Sequence, residues 1–160
     1  MAKESPMTAS QVASLLKTDA ILLNVKATDK VSALREIVAL LATNASIVSV
    51  EAFFAELMAR EGEGTTALGH GVAIPHARTD QCREIVMAVG RSVKGIDCGA
   101  PDGEPVKLIF LIGTPKHLVT EYLRVVGGLA RVISHDDVRR RLLSAPDAGS
   151  FIAAIAEAGG

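Results

Sequence analysis

The chain has no tryptophan, one tyrosine and four phenylalanines among its 160 residues. A core built from it must therefore rest on leucine, valine, isoleucine and alanine. With two cysteines, Cys82 and Cys98, it can form neither a disulfide framework nor a thiolate zinc site. Its apolar runs fall well short of the roughly 20 residues that a bilayer-spanning helix needs. The opening "MAKESPMTAS" lacks the apolar centre of a signal peptide. The formal net charge is −1, which gives no field to attract nucleic acid or an anionic membrane. The three arginines of "VRRRLL" (138–143) then read as a solvated helix face. There is no Walker A loop, no kinase signature, and no H-E-x-x-H or H-x-x-x-H pair. These absences point to a cytoplasmic domain with no cofactor, no metal, no nucleic-acid partner and no direct insertion into a membrane.

What remains is an alternation of helix and strand patterns. Residues 1–8 read as a loose lead-in, and a short helix fits Ser10 to Lys17. "AILLNV" (20–25) reads as a strand. Asp29 can cap a helix to about Ala42 that gathers Val31, Leu34, Val38 and Leu41 on one face. Ser49 can cap the next, with Phe53, Leu57 and Met58 inward. "VAIPHA" is a strand that Pro75 must interrupt, end or confine to an edge. "EIVMAVGRS" and "VKLIFLIGT" are further strands, the second apolar enough for the centre of a sheet. A helix follows with Leu118, Tyr122, Val125, Val126, Leu129 and Ile133 on one stripe, interrupted by Gly127 and Gly128. Asp136 begins another helix, and Asp147 caps the last, with Phe151, Ile152 and Ile155 buried. Strands between 66 and 113 are too closely spaced for helical crossovers throughout. The fold class is α/β, a single domain with a mixed parallel and antiparallel sheet flanked by helices. Residues 1–10 are assigned to a flexible lead-in and 11–160 to the domain.

The chemistry concentrates in "TTALGHGVAIPHAR" (65–78). His76 follows a proline and an apolar run, so its backbone is fixed on one side. The preceding "EGEGTTALGHG" offers backbone N–H groups and two hydroxyls, the ingredients of an anion-binding nest. Arg60 and Arg78 lie close in sequence, and guanidinium groups hold phosphate in a bidentate manner. An imidazole keeps one nitrogen unprotonated near neutral pH and can act as a nucleophile. The pieces suit a histidine that accepts and returns a phosphoryl group. A structural histidine at a strand end is the plainer alternative. His117 and His135 read as surface residues, and His70 as a loop histidine.

"RE" at 60–61, "GTTALGHGVAIPHAR" and the distal "GIDCGAPDGEPVKLIFLI" together resemble the EIIA type-2 domain of the bacterial phosphotransferase system. This is the fructose/mannitol class, which includes the nitrogen-regulatory IIA proteins. The likeness runs from about residue 11 to the end. It implies His76 as the phosphoryl acceptor and an HPr-type phosphocarrier protein as donor. A IIB domain or a regulated target protein would be the next partner. Such a protein is a relay component rather than a free-standing enzyme. Arg60 matches the arginine the family places near its site. Gly64, Thr65, Thr66 and Gly69 match the glycines and hydroxyl residues of its phosphate-binding loop. Two departures stand out beside the glycine pair. Ala67 replaces a loop glycine, and Tyr122 stands where many relatives carry a second active-site histidine. The tyrosine opens a second reading, a weakly phosphorylated or non-catalytic module that acts through protein contacts.

Overall fold

Nine residues, Val106–Thr114, form the middle strand, β6, of the computed structural model, which describes residues 5–158. Side chains alternate across a strand, and here both faces are buried. Leu108, Phe110 and Ile112 enter one cluster, while Val106, Ile109 and Leu111 enter the other. The sheet runs in the order β1 (Ile21–Leu22), β5 (Val86–Ile96), β6, β3 (Val72–Ala73) and β2 (Ala67–Gly69). A sixth strand, β4 (His76–Arg78), pairs only with β6. β5 runs antiparallel to β6, whereas β3 and β4 run parallel to it. The sheet is mixed, as the short connections require.

Pro75 accounts for the break between β3 and β4. Proline cannot donate to the ladder, so the two short strands share one side of β6. Val72 pairs with Leu108, and His76 pairs with Ile112 further along. Pro75 keeps its acceptor, which Ile112 N–H fills at 2.9 Å.

Helices cover both faces. α2 (Lys30–Ala39) and α3 (Val50–Glu61) pack on one side. α1 (Ala9–Ala13), α4 (Val119–Ile133), α5 (Asp136–Ser144) and α6 (Ala148–Ala156) pack on the other. The caps sit where the sequence places them. Asp29, Ser49 and Asp147 accept from the N–H groups of Ser32, Ala52 and Ser150. Gly113 brings α3 against the end of β6. A Cβ there would lie 2.6 Å from Cys82 Sγ and 2.8 Å from the Phe53 ring.

Three expectations change. Only Ile21 and Leu22 of "AILLNV" pair as strand. Val31 is exposed, because the buried face of α2 is Ala33, Leu34, Ile37 and Val38, one residue out of phase with it. The first helix begins at Ala9, since Thr8 and Gln11 form a reciprocal capping box. Within the expected lead-in, residues 5–8 are docked. Met7 N–H donates to Arg124 O at 3.0 Å, and Arg124 Nε donates to Ser5 O at 2.9 Å. Residues 1–4 lie outside the described part of the chain. Among the described residues, no helix is long and apolar enough to cross a membrane.

Candidate functional site

His76 opens β4 at the carboxyl-terminal end of the parallel strands, the end at which open α/β sheets place their ligands. Ala77 turns into the α2–α3 core, so His76 and Arg78 face the α4 side. The imidazole is half-buried. Its Nδ1 lies 2.7 Å from the carbonyl oxygen of Ile74. A carbonyl only accepts, so in the neutral ring Nδ1 carries the proton and Nε2 keeps its lone pair. The residue two positions back therefore fixes the tautomer.

The ring lies in a cleft of about 470 Å³ between the C-terminal end of α3 and the first turn of α4. Arg60, Arg78 and Lys116 bring three cations to its walls, against the two carboxylates of Glu56 and Glu63. Arg60 Nη1 donates to Gly64 O at 3.0 Å, and Arg78 Nη2 donates to Lys116 O at 3.1 Å. Both guanidinium groups are tethered by one hydrogen bond to a backbone carbonyl. Tyr122 fills the remaining wall. Its ring centroid is 5.5 Å from that of His76, and the Arg78 guanidinium carbon lies 5.9 Å from it. His117 is exposed and does not line the cleft.

His76, Arg60 and Tyr122 thus meet. The residues expected to hold phosphate make contacts within the chain. Thr65 Oγ1 donates to Cys98 O at 2.6 Å and accepts from Ala67 N–H at 3.1 Å. Thr66 is buried, and its hydroxyl donates to Glu61 Oε2 at 2.5 Å. Gly69 lies against Asp102, where an added Cβ would sit 3.2 Å from the carboxylate, so it is outside the cleft. The N–H groups of Gly62, Glu63 and Gly64 close the last turn of α3 on Met58, Arg60 and Glu61 carbonyls. These three N–H groups are therefore taken up within the chain. Gly64 serves the site through its carbonyl, which holds Arg60. Ala73 and Ile74 are core residues. The exposed apolar side chains beside Tyr122 are Val119 and Leu123.

Sequence reasoning did not include Glu56, Glu63 and Lys116. Glu56 lies one helical turn before Arg60, on the same face of α3. Lys116 stands just past the end of the central strand. Neither position matches a motif, but both follow from the helix and strand readings. The thiols are no part of the site, and burial pushes Cys82 up to about 12. Among the described residues, no group of three or more His, Cys, Asp or Glu side chains is placed to hold a metal ion.

Known proteins share this fold. The family described as "Phosphoenolpyruvate-dependent sugar phosphotransferase system, EIIA 2" matches residues 14–158. A nitrogen regulatory protein of Pseudomonas aeruginosa is 36% identical over 79% of this chain and 82% of its own length. A fructose-specific EIIA component of Haloferax volcanii is 44% identical over 56% of this chain, a match that spans 58% of the relative. The crystal structure of the nitrogen regulatory protein IIA-Ntr from Neisseria meningitidis superposes with a TM-score of 0.85 at 33% identity. It covers 91% of this chain and 99% of that one. With residues 14–158 matched, the chain belongs to the EIIA 2 family of the phosphoenolpyruvate-dependent sugar phosphotransferase system.

Proposed function

We propose that the chain is a cytoplasmic phosphoryl carrier. His76 Nε2 takes a phosphoryl group from a phosphohistidine of an HPr-type protein. The chain then passes it to a IIB domain or signals by its phosphorylation state to a target protein. The nitrogen-regulatory role is favoured over sugar transport, in keeping with a nitrogen regulatory relative at 36% identity against 28% for a fructose-like EIIA component, both matched along most of their length. The observation that carries this reading is the Nδ1–Ile74 hydrogen bond, which leaves Nε2 with its lone pair beside the cationic cleft.

In the transfer, the N–P bond of the donor breaks and its electron pair stays on the donor nitrogen. The Nε2 lone pair forms the new N–P bond. The Nδ1 proton stays in place, and the positive charge that develops on the ring is stabilised through Ile74 O. Catalysis rests on alignment and on charges facing the three equatorial oxygens. Arg60, Arg78 and Lys116 are positioned to supply those charges. Glu56 and Glu63 keep the cleft from becoming a permanent anion trap, as a relay that must release its phosphoryl group requires.

The test is incubation with phosphoenolpyruvate, the first enzyme of the relay and an HPr-type carrier, followed by intact-mass analysis. A gain of one phosphoryl group that disappears in His76→Ala is expected. Full labelling of His76→Ala would defeat the assignment. Tyr122 favours a second reading, a module that accepts phosphate slowly and acts through contacts, since a phenol brings no cationic charge. Faster labelling of Tyr122→His than of the wild type would support it.

A further inference from the structure

Glu61 has its side chain 2% exposed at the C-terminal end of α3, where free carbonyls make a carboxylate unwelcome. Two groups meet it. Lys30 Nζ approaches Oε1 at 2.5 Å as an ion pair, and Thr66 Oγ1 donates to Oε2 at 2.5 Å. From Thr66 the contacts continue through the backbone. Ile74 N–H donates to Thr66 O at 3.1 Å, and Ile74 O accepts from His76 Nδ1. Pro75 has no N–H, so the 74–75 peptide that carries the Ile74 carbonyl has no donor of its own and is oriented through its neighbours, the Ile74 N–H on one side and Pro75 O, which accepts from Ile112 N–H, on the other. On its other side, the same loop presents Gly64 O to Arg60. The acceptor histidine and the cleft arginine are therefore held by one loop, which is anchored through Thr66 to a buried carboxylate.

We infer that Lys30, Glu61 and Thr66 are positioning residues, a buried clamp that fixes the Ile74 carbonyl and so keeps His76 with Nε2 unprotonated and aimed into the cleft. The rate consequence rests on the carrier reading above, and the tautomer consequence does not. Thr66 then acts on His76 from behind and does not bind phosphate. Without its hydroxyl, the 66–67 peptide loses its tie to Glu61 and is left with Ala67 N–H on Thr65 Oγ1 and Ile74 N–H on its carbonyl, the Ile74 carbonyl shifts with it, and the ring samples the other tautomer.

The experiment compares the full chain with Thr66→Val and Thr66→Ser. One readout is the pair of ring-nitrogen chemical shifts of His76 at mildly alkaline pH. The other is the labelling rate from the phosphorylated HPr-type carrier. Thr66→Val is expected to mix the tautomers and to slow labelling about tenfold to a hundredfold, the cost of misaligned reacting atoms. Thr66→Ser is expected to restore both. A Thr66→Val protein that loses thermal stability while its ring shifts and its rate stay at wild-type values overturns the inference. Mixed tautomers in a chain whose wild type is never labelled would refute the carrier and leave the clamp standing. If Thr66→Val does not fold, Glu61→Gln is read in the same two ways. A smaller change in the same direction supports the clamp, and no change overturns it.

Discussion

Two stretches of chain lie against the helices, and they are held by different means. Residues 62–66 leave α3 and are secured by a buried hydroxyl, a carboxylate and an ammonium. Residues 5–8 cross α4 and are secured by hydrogen bonds with Arg124 and by close packing. A Cβ on Gly128 would lie 2.5 Å from Met7 O and 2.9 Å from Met7 Cβ. Packing of this kind is non-directional and fixes only how near two segments come. Hydrogen bonds and ion pairs fix orientation as well, at the cost of desolvation. The polar anchor is found beneath the cleft, where a carbonyl must point at one nitrogen. The close-packed seat lies against Gly128, which does not line the cleft.

The largest test of that contrast is Lys30→Met. It strands the Glu61 carboxylate with Thr66 as its remaining partner, and breaking a buried pair from one side costs about 3–5 kcal/mol. Lys30 is itself 25% exposed and can turn to water. Glu61→Gln should therefore cost less than Lys30→Met in urea denaturation. Equal losses would mean that the carboxylate is not the buried partner in energetic terms. Gly128→Ala comes next, at about 1–3 kcal/mol, because the displaced atoms are backbone. For a chain of this size, each kcal/mol lowers Tm by about 2–4 °C. The labelling rate of the folded Gly128→Ala protein should stay at the wild-type value, since the seat does not orient the cleft. Gly127→Ala is smaller and opposite in sign. Its nearest neighbour, Pro6, is at an ordinary 3.7 Å, so the helix gains up to about 1 kcal/mol.

The neighbouring glycines show what sequence can and cannot disclose. In the string they are identical, and only the path of residues 6 and 7 separates them. The same holds for Thr65 and Thr66. Their hydroxyl chemistry is plain in the sequence and suggests phosphate. Their actual partners, Cys98 O and Glu61, depend on how the loop is seated. By contrast, the caps at Asp29, Ser49 and Asp147 and the break at Pro75 are local effects and were legible. So was the central place of β6, which follows from its unbroken apolar run. The Thr8–Gln11 capping box is also local, and the sequence does carry its signature. Lys116 and Glu56 reach the cleft only once α3, β4 and β6 are placed side by side.

A pair of matched caps gives the smallest and most discriminating test. Asp29 begins α2 and Asp147 begins α6. Hydrogen bonds from Ser32 and Ser150 hold their carboxyls below the usual aspartate range. A carboxyl depressed by folding contributes stability that is present above its unfolded value. That contribution is lost as pH falls through the lower folded value. Asp29→Ala and Asp147→Ala should each remove part of that acid-limb dependence, by similar small amounts, because both groups are exposed and screened. Only one cap stands next to the clamp, however. Lys30 is the first residue of α2, so fraying that turn loosens the partner of Glu61. Asp29→Ala should therefore slow labelling of His76 near neutral pH, and Asp147→Ala should not. Equal labelling by the two variants, measured alongside equal losses in stability, would separate the α2 N terminus from the site and confine the orienting effect to Thr66.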